Sequence, residues 1–319
     1  MLVYIFVLDK GGRLEMKAPL VLEMKGNSLD DGPGIRTAIF FKGCPLSCIW
    51  CHNPESKRVE AELSVSLDDC IGCGTCEKTC PVHAATPRQQ GIVDRSRCTL
   101  CFACTETCPP KALERVGKEY SIEEIVEKCA KDKPFYDVSG GGVTLTGGEA
   151  TMFPDWVGEL AKALREKDIR VHLETCGFFN YEKIKESLLP YISSIYMDVK
   201  IYDSEAHKKY CGVPNEVILG NLERLLADSK EMGFTLLPRT PLIPGITDTD
   251  ENLTEIADLY SRIGIKETEL LAYNPTWYKK TAKLGVEVDK ELQGLDHWQS
   301  KDKLEHCKSI FAERNIECL

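Results

Sequence analysis

Cys44, Cys48 and Cys51 follow one another in a C-x3-C-x2-C pattern within GCPLSCIWCHNPES, residues 43–56. A closed structural zinc site or an ordinary iron–sulfur cluster takes four ligands. Three close thiolates hold three corners of an iron–sulfur cubane and leave the fourth iron without a protein ligand. An open metal position is what separates a catalytic site from a structural one. The stretch is therefore read as a metal centre that keeps a place for something else. A fourth ligand from elsewhere in the chain, His52 or Cys176, is the competing reading.

Eight further cysteines form an internal repeat. CIGCGTCEKTCP begins at Cys70 and CTLCFACTETCP at Cys98, and both read C-x2-C-x2-C-x3-C-P. In bacterial ferredoxins such a run gives three ligands to one [4Fe–4S] cluster and its last cysteine to the other. That crossed scheme assigns Cys70, Cys73, Cys76 and Cys108 to one cluster, and Cys80, Cys98, Cys101 and Cys104 to a second. A pair of zinc sites is the alternative, since C-x2-C pairs also bind zinc. The doubled spacing, closed each time by proline, favours iron–sulfur chemistry and one-electron transfer.

The totals set bounds on the class. The chain has 319 residues and 16 cysteines, eleven of them between Cys44 and Cys108. Disulfide scaffolds are normally short secreted chains. The opening MLVYIFVLDKGGR has no basic lead-in and no small-residue cleavage site, so no secretory leader is expected. No apolar run reaches the ~20 residues that span a bilayer. The sequence thus predicts a cytoplasmic protein with no membrane association. At 43% hydrophobic and 28% charged it can bury a real core, and its net charge of −10 argues against a nucleic-acid partner.

The elements that must position these groups alternate. GIRTAIFFKG (34–43) reads as a buried strand. GVTLTGGE, IRVHLET, ISSIYMDVK, FTLLPRT and TELLAYN read as further strands, separated by helical segments. One helix, DWVGELAKALREKD, places Trp156, Leu160, Ala161 and Leu164 on one stripe; another, in DTDENLTEIADLYSRIG, has Asp248 or Asp250 as its expected N-cap. Strands separated by helices make parallel βαβ units. Six strands predict an α/β fold, a partial (β/α)6 TIM-like barrel, with an open parallel sheet as second choice. The expected division is an N-terminal extension (1–18), a barrel (19–63 and 113–319) and an inserted bacterial-ferredoxin-like α+β domain (64–112). Polar signatures fall at the carboxyl end of every strand: Cys44, Gly147-Gly148-Glu149, Glu174-Thr175, Asp198 and Lys200, Arg239, and Asn274. In parallel α/β folds the active site gathers at that edge.

C-x3-C-x2-C resembles the signature of the radical S-adenosylmethionine (SAM) superfamily. The longer stretch DDGPGIRTAIFFKGCPLSCIWCHNPES resembles the glycyl radical enzyme activating enzymes, whose hallmark is D-G-P-G-I-R-T followed by G-C-x3-C-x-W-C-x-N-P-E. The repeat resembles the branch of that family with two auxiliary clusters. The resemblance implies three [4Fe–4S] clusters and SAM, with a monovalent cation as a further candidate. It implies that SAM chelates the open iron of the Cys44/Cys48/Cys51 cluster and is cleaved to a 5′-deoxyadenosyl radical, which takes hydrogen from a backbone glycine of a partner glycyl radical enzyme. A flavodoxin or ferredoxin would supply the electron.

The resemblance also carries roles for single residues. Gly147, Gly148 and Glu149 match the motif that holds the SAM amino group, and Asp198-Val199-Lys200 the D-x-K in which the lysine neutralises the SAM carboxylate. Cys44, Cys48, Cys51 and Lys200 form the implied catalytic set. Glu174 stands where a related activator type has Asp, Arg239 near the SAM carboxylate, and Trp50 and His52 near the adenine. Asn274 replaces an expected histidine and offers hydrogen bonds to ribose hydroxyls. Asp30, Asp31 and Arg36 fall in the loop where the family meets its partner. Two other functions compete: a radical SAM enzyme for a small molecule or peptide, and a ferredoxin-type electron carrier. Cys129, Cys176, Cys211, Cys307 and Cys318 show no ligand spacing and are read as structural, with Cys176 nearest the rim.

Overall fold

The computed structural model describes residues 6–8, 14–16 and 18–319. The extension expected over residues 1–18 lies largely outside the described residues; within it β1 (Phe6–Leu8) pairs antiparallel with β2 (Leu14–Met16). Strands β3 (Val21–Ser28) and β4 (Arg36–Phe41) follow. The chain then leaves the sheet for β5 (Glu62–Val65), α1 (Thr75–Thr79), α2 (Ala103–Thr107) and β6 (Leu113–Val116). Helices α3 (Ile122–Ala130) and α4 (Lys133–Ser139) lead back to β7 (Gly142–Gly147). From there α5 (Pro154–Glu166), β8 (Val171–Thr175), α6 (Tyr181–Ser187) and β9 (Ser194–Asp198) alternate. Helices α7 (Ser204–Cys211) and α8 (Glu216–Met232) precede β10 (Thr235–Pro241), and α9 (Asp250–Ile263) precedes β11 (Glu267–Leu271). Helices α10 (Trp277–Lys283) and α11 (Lys301–Ala312) and the short β12 (Glu317–Cys318) complete the chain.

The main sheet runs β12-β11-β10-β9-β8-β7-β4-β3. The six expected strands are its interior, β4 and β7 to β11, all parallel. Two edges were not expected: β12, parallel to β11, and β3, antiparallel to β4. The first interior strands are buried over nearly their whole length, their apolar side chains packed with the helices in one core. The middle of β3 (Glu23, Lys25, Gly26, Asn27) is half-buried to exposed, an edge-strand composition that hides it in the sequence.

Helix α5 buries Val157, Leu160, Ala161 and Leu164, a helical stripe against the sheet; Trp156, expected on it, is half-buried. Helix α8 ends at Gly233, which takes the left-handed conformation (φ 78°) that a C-terminal cap requires. The cap of α9 is Thr249, not Asp248 or Asp250. The Thr249 hydroxyl accepts from Asn252 N at 3.3 Å, while Asp248 accepts from Gly245 N in the preceding turn. Among the described residues no helix is long and apolar enough to cross a membrane.

Three cores result. The largest fills the space between sheet and helices. A second, including Leu46, Trp50, Ile201, Ile243 and Trp277, lies under the carboxyl rim of the strands. The third belongs to the cysteine-rich segment, which leaves and returns through the antiparallel pair β5–β6. The two repeats fold alike: α1 and α2 have five residues each and are entered through left-handed residues, Gly74 (φ 70°) and Phe102 (φ 59°).

At the rim, β7 and β4 approach closely. Gly148 N donates to Phe41 O (2.9 Å) and Glu149 N to Gly43 O (2.7 Å), one residue before Cys44. A Cβ on Gly147 (φ 108°) would stand 2.3 Å from Phe41 N, and one on Gly148 2.2 Å from Gly43 O. The glycine pair thus answers to the chain's own backbone. Gly148→Ala is expected to destabilise the fold by about 1–3 kcal/mol, read as a lower guanidinium midpoint with unchanged slope.

Candidate active site

A cavity of about 810 Å³ opens at the carboxyl rim. Cys44, Cys48 and Cys51 line it, together with Trp50 and His52 from the same loop. The loop is tied down on both sides. Gly43 N donates to Ser56 O (2.7 Å) and Cys44 N to Lys57 O (3.2 Å). Ser47 N donates to Cys211 O (2.8 Å) and Ile49 N to Tyr210 O (3.1 Å), so the last turn of α7 clasps the backbone on either side of Cys48. Lys57 Nζ donates to Cys48 O at 2.8 Å.

The other strand ends converge on the same space. Gly147, Gly148, Glu174, Asp198, Lys200, Arg239 and Asn274 all line the cavity. Arg239 Nη1 meets Glu174 Oε1 at 2.7 Å and its Nε meets Asp198 Oδ1 at 3.2 Å. Lys200 Nζ meets the other Asp198 oxygen at 2.8 Å. Thr146 Oγ1 donates to Glu174 Oε2 at 2.6 Å. A chain of charges, Lys200–Asp198–Arg239–Glu174, thus crosses the strand ends. Burial alone would raise Asp198, but Lys200 and Arg239 overcome it and hold its pKa below the ordinary carboxylate value. Burial works against the Lys200 ammonium, and Asp198 first among its neighbours outweighs that, raising its pKa.

Two expected contact residues turn away from the cavity. The Glu149 carboxylate is buried and accepts from Thr151 N (3.2 Å), Thr151 Oγ1 (2.7 Å), Thr175 Oγ1 (2.9 Å) and Cys176 N (2.7 Å). Four donors leave it no role as a free acceptor. The Val199 side chain lies in the main core, since alternate residues of a strand face opposite sides. Arg36, expected in the partner loop, is also corrected. Its guanidinium is buried and donates to Thr144 Oγ1 (2.7 Å), Pro33 O (2.8 Å) and Val143 O (3.0 Å). Asp30 and Asp31 do line the cavity.

Two cysteines without motif spacing stand beside the three-cysteine loop. Cys176 lines the cavity, and the neighbouring Cys44 thiol together with burial pushes its pKa well up. Cys211, fully buried, shares the core under the rim with Cys48. The neighbouring Cys211 thiol, with Lys200 and Lys57 and against opposing burial, lowers the pKa of Cys48. Burial, then the charge of Cys48, pushes Cys51 up to about 12. Sequence spacing gave no warning of Cys211; its one signal is a position just before Gly212, the left-handed cap of α7. The pKa of His52 is lowered by burial and by Lys280.

The donor chemistry fits an iron–sulfur cluster: three thiols on one cavity wall, with Lys200 and Lys57 close enough to favour the Cys48 thiolate. Among the described residues no three His, Cys, Asp or Glu side chains are grouped as ligands of one metal ion.

Known proteins resemble the chain over most of its length. The radical SAM superfamily model matches residues 95–290, and the 4Fe-4S binding domain model matches residues 63–86. The chain is 35% identical over 309 residues to the (2S)-3-sulfopropanediol dehydratase activating enzyme of Klebsiella oxytoca, covering 94% of this chain and 96% of that one. It is 36% identical to the benzylsuccinate synthase activating enzyme of Thauera aromatica, over 88% of this chain and 86% of the other. It is 35% identical to the trans-4-hydroxy-L-proline dehydratase activating enzyme of Clostridioides difficile, over 93% and 97%. The chain belongs to the radical SAM superfamily, among its glycyl radical enzyme activating enzymes.

The charge chain has a pH signature. Asp198 has a folded pKa below its unfolded value of about 3.9, so its ionised form adds stability above that pH. The contribution disappears as pH falls through the depressed folded value. Wild type is expected to exceed Asp198→Asn in stability near neutrality, with the gap narrowing below about pH 4, checked by urea unfolding at a series of pH values.

Proposed function

We propose that the cavity binds SAM beside a [4Fe–4S] cluster held by Cys44, Cys48 and Cys51, and that the protein activates a glycyl radical enzyme. The observation that carries this reading is the shared cavity: three thiols on one wall and the Lys200–Asp198–Arg239–Glu174 chain on another. When bound, the cluster and SAM supply a 5′-deoxyadenosyl radical able to take hydrogen from a glycine of the partner.

The chain's own groups set the pose. An ammonium has three donors, and Lys200 is paired here with one carboxylate oxygen, so donors remain for the SAM carboxylate. Because Glu149 is committed elsewhere, the SAM amino group is met by backbone carbonyls at Gly147 and Gly148, which approach the cavity without side chains. Asn274 Oδ1 accepts from Thr276 N at 2.9 Å, leaving its amide donors for ribose oxygens. Trp50, whose ring pairs with Tyr210 at 6.3 Å, lines the cavity and is the apolar group assigned to the adenine. A monovalent cation beside Asp198 would compete with Lys200 and Arg239, which already occupy both of its oxygens.

The eight cysteines between β5 and β6 are assigned to two auxiliary [4Fe–4S] clusters, with Cys70, Cys73, Cys76 and Cys108 on one and Cys80, Cys98, Cys101 and Cys104 on the other. This segment (64–112) forms the inserted domain, and a flavodoxin or ferredoxin is the electron donor. The relatives act with a dehydratase or a synthase by name, so the partner here is a glycyl radical enzyme of unspecified reaction.

Anaerobically reconstituted protein with reductant and SAM is expected to release 5′-deoxyadenosine, and to yield a glycyl doublet in electron spin resonance only with a cognate partner. Cys48→Ser should abolish deoxyadenosine release while keeping about two thirds of the iron. Full iron loss, or release that persists in the variant, would contradict the assignment.

A further inference from the structure

The cysteine-rich segment reaches the wall of the cavity through Arg95, three residues before Cys98. Its Nη1 donates to Leu63 O (3.1 Å) in β5, at the entry to the segment, and its Nη2 to Lys283 O (2.9 Å), the last residue of α10. One planar guanidinium thus joins β5, the strand by which the segment leaves the sheet, to the end of α10. The fit is close. Gly285 takes a left-handed turn (φ 70°) just beyond α10, and a Cβ there would stand 2.4 Å from Arg95 Nε. Lys283 Nζ also faces Asp69 of the segment at 3.9 Å.

What α10 does makes this contact matter. Asn274, Thr276 and Lys280, on and just before it, line the cavity. Lys280 Nζ donates to Asn53 Oδ1 (2.8 Å) and pairs with Glu55 (3.1 Å), in the turn that follows Cys51. A helix of seven residues has little stability of its own and depends on what it packs against. It is pinned midway by Lys280 to the cysteine loop and at its end by Arg95 to the insertion.

We propose that Arg95 is a positioning residue for the cavity: through it the cysteine-rich insertion holds the α10 wall in place, and SAM affinity depends on that hold. The inference rests on the reading that SAM occupies the cavity. Without the tether, ordering α10 becomes a cost of binding, which lowers apparent affinity and leaves the chemistry of the bound state alone.

The test uses the full chain with its clusters reconstituted, comparing wild type, Arg95→Ala, Arg95→Lys and Gly285→Ala. Two quantities are measured: the equilibrium dissociation constant for SAM, and amide hydrogen exchange over residues 277–285. Arg95→Ala and Gly285→Ala are expected to weaken SAM binding about three- to tenfold. Exchange in α10 should quicken, with deoxyadenosine release at saturating SAM unchanged. Arg95→Lys, which keeps the charge and loses the fork, should fall between. Unchanged exchange in α10 overturns the tether, and faster exchange with unchanged SAM affinity overturns its bearing on the cavity. Should Arg95→Ala lose iron, Gly285→Ala carries the same two readouts from the other side of the contact. If wild type itself fails to bind SAM, the functional reading falls, while the exchange measurement still judges the tether.

Discussion

The pairing of β7 with β4 at the rim is the constraint on which the site depends. Arg36 to Phe41 lie in parallel register with Gly142 to Gly147, and the ladder continues past the strands through Gly148 N and Glu149 N to Phe41 O and Gly43 O. The cysteine loop therefore starts from a backbone position set by hydrogen bonds on both sides. The Glu149 carboxylate extends the same construction to β8 by accepting from Thr175 Oγ1 and Cys176 N. A buried carboxylate is tolerable only when its lone pairs are filled. Here the filling ties three strand ends together. The residue behaves as a keystone of the rim, which explains why it faces inward from a motif whose glycines face the cavity.

The charge chain obeys a different logic. Buried ion pairs seldom add net stability, because desolvation offsets their attraction. Four alternating charges across β8, β9 and β10 are an expensive way to fill a cavity wall that apolar residues could line. Their arrangement satisfies both oxygens of Asp198, by Lys200 and Arg239, and both of Glu174, by Arg239 and Thr146. Arg239 is held flat by two carboxylates, and its charge lies over the Tyr196 ring at 5.0 Å. A preorganised array of this kind orients a zwitterionic ligand without rearranging as the ligand arrives.

Much of this was legible in the sequence, and for identifiable reasons. The interior strands were readable because burial on both faces gives unbroken apolar runs, as in Ala38 to Phe41. The site was readable because parallel topology sends every strand end to one rim. What escaped was decided by tertiary neighbours. Strand β3 alternates only over Leu22-Glu23-Met24-Lys25 before Gly26 and Asn27 cut the pattern short. Thr249 won the cap of α9 because Asp248 was already engaged by Gly245 N. Arg36 sits in a motif that points to a surface role, yet Thr144 and two carbonyls draw it inside. Cys211 lies far along the chain from Cys48 and meets it only because α7 ends against the cysteine loop.

The insertion poses a problem of scale. Its core gathers four buried apolar side chains, Leu63, Val65, Ile92 and Leu113, with Cys70, Cys76, Cys98, Cys104 and Cys108 packed against them. Helix α1 buries no residue and α2 buries only Thr105. An isolated segment of about fifty residues with so small a core does not stabilise itself by hydrophobic burial. On the reading that its thiols hold two clusters, ligation supplies the missing folding free energy, as metal does in other small domains. The conformation of the ligand loops and their contacts with the rest of the chain are then coupled. Arg95 lies within the stretch that ligation would order and reaches out of it to Lys283. On that reading, and with Arg95 as the tether we propose, a segment folded by its clusters would also brace the neighbouring wall of the cavity.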